Sequence, residues 1–186
     1  MRELIERHGG RLQPFRALPP THQMAIAHYY SIAGVSWNAP LELWNWISKN
    51  NGKRAPLAEE LPRHMPCYLK QHGGQLFGVV DIPTAELLPR IMQGYQLAEF
   101  HGDWAAYHAW YTSFVSTPDH DMTKPLWPVW LAIDHRDNEA LEDGWHRLHD
   151  YVRKGIQVIP GVYTPFFPAA RGEELPLRAV ESMALA

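Results

Sequence analysis

The chain has 186 residues, with 17 Lys+Arg against 20 Asp+Glu and a formal net charge of -3. That length suits one ordinary domain, and the slightly acidic balance argues against a protein that grips duplex DNA through charge alone. Apolar residues make up 46%, too many for wholesale disorder, and the single cysteine, Cys67, excludes an intramolecular disulfide framework and a cysteine-based zinc site.

The first residues, Met1-Arg2-Glu3-Leu4-Ile5-Glu6-Arg7, are charged and lack the apolar stretch of a signal peptide. No run approaches the ~18 apolar residues that span a bilayer. A cytoplasmic protein is expected, one that could visit a membrane through a partner. A short helix is predicted over 2–8, ended by Gly9-Gly10. A second opens at Pro19-Pro20-Thr21, with Thr21 as N-cap, and closes near Gly34. A third begins at Asn38, where Leu41, Trp44 and Ile47 recur at helical spacing until Asn50-Asn51-Gly52. The cluster Lys49, Lys53 and Arg54 reads as a solvated helix end or as a contact for a phosphate backbone.

From residue 76 the pattern changes. The apolar run 76–82, between Gly73-Gly74 and Pro83, predicts a buried strand. Thr84 is expected to cap a short helix curtailed by Pro89. Asp103 is expected to cap a helix over 104–115, with Trp104, Tyr107, His108, Tyr111, Phe114 and Val115 on one apolar face. Residues 126–133 predict a strand with an edge or bulge at Pro128, 134–138 a turn, and 139–142 the returning strand of a hairpin. A helix over 145–154 with Gly155 as its C′ residue and a strand over 156–162, interrupted at Pro160-Gly161, complete the order. The implied class is α+β: a helical N-terminal extension (1–75), a mixed-sheet core (76–168) and a polar tail (169–186). The eight tryptophans fill the core or form a binding surface, Trp44 and Trp46 being the ones placed to meet a partner.

Chemistry concentrates in Leu141-Glu142-Asp143-Gly144-Trp145-His146-Arg147. A strand ending in two carboxylates meets a glycine that permits a tight turn, and a helix starts at once. The amides of Trp145, His146 and Arg147 then point outward with partial positive charge, and Arg147 can fork onto a phosphate. Such a turn is an anion site with carboxylates near enough to hold a metal or activate water. The plainer alternative is that Asp143 caps the helix, Gly144 turns the chain, and Arg147 pairs with Glu142 or Asp150.

Asp143-Gly144-Trp145-His146-Arg147, followed by Gly155 and Ile159-Pro160, resembles the signature of the ParB/sulfiredoxin superfamily. Upstream, Val80-Asp81-Ile82-Pro83 is similar to its opening strand, and Lys124-Pro125-Leu126-Trp127 to the proline and strand before the signature. Trp145 stands where sulfiredoxins carry their reactive cysteine, so sulfinic-acid reduction is not expected. Only residues 164–186 follow the last strand, too few for the helix-turn-helix of partition proteins. Within the superfamily the chain resembles the fertility-inhibition (oncogenic suppression) proteins of conjugative plasmids. That resemblance implies an ATPase and DNase acting on transferred DNA at a type IV secretion coupling protein or relaxosome. It implies that Gly144, Trp145, His146 and Arg147 cradle phosphate. It further implies that Asp143, with Glu142 or Glu139, holds Mg²⁺ or orients water, and that His146 protonates a leaving oxygen or bonds a phosphate.

Three lesser candidates accompany this site. Thr112, Ser113 and Ser116 offer hydroxyls for a nucleotide, and His108 shares a helix face with Thr112. His101, Asp103, His108, Asp119, His120 and Asp121 could form a metal site on paper, without a recognised ligand spacing. The competing functions are a non-catalytic module that blocks the coupling protein and a nucleotide-dependent small-molecule kinase of the same fold.

Overall fold

A computed structural model describes residues 1–33, 54–115, 119–133 and 140–165. The predicted helix over 38–50, most of the basic cluster, the 134–138 turn, Ser116, Glu139 and the tail lie outside the described residues. Six α-helices and a five-stranded mixed sheet are described, an α+β fold. The helices are α1 (Arg2–Arg7), α2 (Pro20–Ala33), α3 (Arg54–His72), α4 (Thr84–Met92), α5 (Trp104–Thr112) and α6 (Trp145–Arg153). The strands are β1 (Arg11–Pro14), β2 (Leu76–Pro83), β3 (Val129–Leu131), β4 (Leu141–Asp143) and β5 (Val158–Tyr163).

The sheet order is β1-β2-β5-β3-β4. Only β3 and β5 run parallel; the other neighbours are antiparallel. Strand alternation sorts the core into two layers. Phe77 and Val79 of β2, Trp130 of β3 and Val162 of β5 pack with Ile26, Tyr30, Leu61 and Tyr68 of α2 and α3. Val80, Ile82, Val129, Leu131 and Ile159 pack on the other side with α1, α4, α5 and α6 through Leu4, Leu87, Tyr107 and Leu148. The continuous apolar run of β2 thus reflects burial on both faces. Gly78 sits opposite Tyr163, and a Cβ there would lie 1.9 Å from the tyrosine ring, so the close approach requires glycine.

Several boundaries differ from the sequence expectations. The first helix ends before Gly9 as expected, but residues 11–14 leave the helical extension and form the edge strand beside β2. Helix α2 starts at Pro20, whose missing N–H costs nothing in the first turn, and the Pro19 carbonyl accepts from the amides of His22 and Gln23. Thr21 therefore does not cap it; Gln23 instead donates to the carbonyls of Phe15 and Leu18. Helix α3 runs through Pro62 and Pro66. Both prolines lie on its exposed face, while Leu61, His64 and Tyr68 anchor the other side.

Helix α4 likewise continues past Pro89, held by buried Leu87, Ile91 and Met92. The Thr84 hydroxyl does not cap it but donates to the Ile156 carbonyl at 2.5 Å. Strand β3 is shorter than 126–133. Its lead-in is held from the side, because Tyr151 Oη both accepts from the Trp127 amide and donates to the Trp127 carbonyl, each at 3.0 Å. Strand β5 is not interrupted at Pro160-Gly161; it stays paired with β2 throughout. Helix α6 ends as the sequence indicates. Gly155 has φ +71°, and the Ile156 amide reaches back to the Tyr151 carbonyl at 3.0 Å.

Candidate functional site at the start of helix α6

The β3–β4 hairpin delivers the chain to α6 through Gly144, whose φ of +100° places it in the left-handed region. An alanine Cβ at that position would lie 3.1 Å from Val129 Cα. The glycine therefore serves both the turn and the close packing of α6 on β3. No described side chain caps α6, and the first intrahelical bond runs from the Leu148 amide to the Gly144 carbonyl at 2.8 Å. Asp143 is not the cap. Its Oδ2 accepts from Arg147 Nη2 at 3.1 Å, with each side chain about one-fifth exposed. Arg147 thus pairs with Asp143, not with Glu142 or Asp150. Its Nε is buried and finds no acceptor among the described residues.

The two carboxylates part company. Glu142 accepts a hydrogen bond from Tyr29 Oη of α2 at 3.2 Å, whereas Asp143 is engaged by α6 on the opposite face of the sheet. Burial first, and then the Glu142 charge, push the Tyr29 phenol up to about 12, so it remains a donor to Glu142. Among the described residues no three His, Cys, Asp or Glu side chains gather around a common cation position. A lone carboxylate is still compatible with Mg²⁺, which commonly arrives on substrate phosphates and keeps several waters.

His146 lies in the first turn, with its ring edge-on to Tyr111 at 5.8 Å. One turn on, His149 is fully buried between aromatic rings, parallel to Tyr111 at 4.0 Å and stacked on Trp104 at 4.8 Å. Its Nδ1 meets His108 Nδ1 at 2.7 Å. Burial, then the charges of His108 and His146, hold the His149 imidazole down to about 3, so it is neutral at physiological pH. The sequence assigns His149 no role. The signal was available: Trp104, Tyr107, His108 and Tyr111 form a stripe on α5, and His149 lies one helical turn beyond Trp145.

The lesser candidates separate. Thr112 donates to the His108 carbonyl at 2.8 Å and Ser113 to the Trp110 carbonyl at 2.7 Å, so both hydroxyls serve their own helix end. Asp103 caps α5 through the Ala106 amide, as expected. Asp119 pairs with Arg153 and Lys154, while Asp121 binds Thr123. His120 gives its amide to buried Asp150. These residues form loop clips rather than one metal centre. The apolar face expected on α5 is also incomplete: Tyr107 is buried, but Phe114 is 61% exposed.

No helix among the described residues is long and apolar enough to cross a membrane. No family model matches the chain, and neither does any curated protein or solved structure.

Proposed function

We propose that the chain binds and hydrolyses phosphate esters, as an ATPase and DNase, at the start of α6. The observation that carries this reading is the left-handed Gly144 turn opening a helix that no described side chain caps, with a guanidinium alongside whose buried Nε has no acceptor among the described residues. An orphaned donor on a charged group costs about 1–3 kcal/mol, and a phosphate oxygen would satisfy it.

In this reading the amides of Trp145 and His146 hold the phosphate, and Gly144 lets the backbone approach it. Arg147 offsets the charge that develops on the transferred phosphoryl group. Asp143 keeps the guanidinium in place and orients the attacking water. His146 donates to a phosphate or leaving oxygen. Glu142, tied to Tyr29 on the opposite face of the sheet, takes no part at the phosphate, and Glu139 remains the alternative second carboxylate. Mg²⁺ carried on the phosphates would be met by Asp143 and would supply charge neutralisation there. The resemblance of residues 143–162 to the ParB/sulfiredoxin signature supports the same assignment. It extends to a role in a bacterium carrying a conjugative plasmid: attacking another element's transferred DNA at a type IV secretion coupling protein.

A second reading has its own observation. The Arg147–Asp143 pair is closed on itself, and Trp110 and Phe114 stand exposed nearby. Both suit a module that blocks the coupling protein without chemistry. Purified protein is assayed with ATP and Mg²⁺, then with single- and double-stranded DNA, while transfer inhibition is scored in cells. Arg147→Ala and Asp143→Ala are expected to lose hydrolysis and inhibition together. Inhibition that survives the loss of hydrolysis would establish the blocking module instead.

A further inference from the structure

An aromatic hollow of about 290 Å³ opens beside the start of α6. Tyr107, Trp110, Tyr111 and Phe114, from α5 and the turn after it, form one wall; Trp145 and Ile91 face them. No described charged side chain lines it. Two of its rings are held in the open, Trp110 at 48% and Phe114 at 61% exposure, braced edge-to-face at 4.7 Å. Trp110 is in turn nearly parallel to Tyr107, with ring centres 6.0 Å apart. Tyr111 is fixed in its place, lying flat on buried His149 with an interplanar angle of 4°.

We infer that this hollow takes a nucleobase, the flat uncharged end of a ligand whose phosphates lie at the α6 N-terminus. The inference rests on the phosphate reading above. Three features select a base over other ligands. The lining is aromatic and aliphatic without formal charge, which suits a neutral planar ring and offers a second phosphate no partner. The volume, about 290 Å³, falls just below the ~300–1,000 Å³ range for whole ligand sites, room for one base rather than a whole nucleotide. Trp145 belongs to both places: its ring lines the hollow and its residue begins the helix. Tyr111 makes the second link, because it lines the hollow and touches His146 in the first turn. A free nucleotide and a base turned out from a single strand present the same chemistry here.

The test is calorimetric titration of the full chain with ATP, tripolyphosphate, adenosine, a short oligo(dA) and an abasic strand of equal length. Wild type is compared with Trp110→Ala and Phe114→Ala, whose exposed side chains can be removed without opening the core. For a free nucleotide, ATP should bind about 10-fold or more tightly than tripolyphosphate. For a strand, oligo(dA) should exceed the abasic strand by a similar factor. In either case both variants should erase most of the surplus at unchanged melting temperature and leave tripolyphosphate or abasic binding intact. Equal binding with and without the base, or a surplus that survives both variants, would overturn the inference. The hollow would then belong to another segment of this chain or to a docking protein. Adenosine that binds in a Trp110-dependent way beside inert tripolyphosphate would leave the base site standing and remove the phosphate reading instead.

Discussion

Replacing Gly144 by alanine tests whether this turn is as constrained as its geometry implies. At φ +100° an L-residue is strained, by about 1–2 kcal/mol in the left-handed region. The added methyl also meets Arg147 Nη2 at 3.0 Å and both Cα and Cγ1 of Val129 at 3.1 Å. The guanidinium can move, but Val129 is backbone-paired with Gly161 and cannot readily retreat. Crowding of this kind adds about 1–2 kcal/mol. The total is a loss of about 2–4 kcal/mol, or a fall in Tm of roughly 4–16 °C for a chain of this length. Urea denaturation beside Gly74→Ala provides the assay, because a Cβ at Gly74 meets nothing within 4 Å. The control should be near neutral. Gly144→Ala within about 0.5 kcal/mol of wild type would refute both the strained turn and the close packing of α6 on β3.

Two further substitutions address the surroundings of the site. His149 stays neutral when folded down to about pH 3, while its unfolded counterpart takes up a proton near 6.5. Its contribution to stability is therefore lost as pH falls from 6.5 towards 3, by roughly 3 kcal/mol at pH 4. His149→Phe should remove this component, so that wild type loses more stability than the variant between pH 8 and pH 4 in urea melts; parallel losses would contradict a buried neutral imidazole. Asp150 is buried at the other end of α6, where it accepts from the His120 amide at 2.8 Å, from Lys154 at 3.1 Å and from Arg153. Burial raises its pKa, but Arg153, the His120 amide and Lys154 together hold it below the usual carboxylate range. Asp150→Ala should cost about 1–3 kcal/mol and speed amide exchange at His120; unchanged exchange would show that the carboxylate does not clip that loop.

The sequence was most informative where several local signals agreed. Gly144 and Gly155 bracket α6 as anticipated, Asp103 caps α5, and the apolar run 76–82 is the doubly buried β2. It failed where tertiary contacts override a local rule. Pro89 reads as a stop, yet buried Leu87, Ile91 and Met92 carry α4 past it. Strand β1 has no apolar run of its own, and its existence depends on pairing with β2. At the site, adjacency of Glu142 and Asp143 suggested a carboxylate pair. Strand alternation instead sends them to opposite faces, where Glu142 meets Tyr29 and Asp143 meets Arg147. The aromatic hollow was invisible because its walls come from segments separated along the chain, and exposure of Phe114 cannot be read from periodicity that predicts it buried.

Phosphate release from ATP and Mg²⁺ by wild type and Arg147→Ala, at matched Tm, tests the central claim most directly. Hydrolysis by wild type that falls 10²-fold or more, on the order expected for removing a transition-state donor, is the anticipated result. Equal rates in the two proteins, or no hydrolysis by wild type with either ATP or DNA, would contradict a phosphoryl-transfer site at the start of α6.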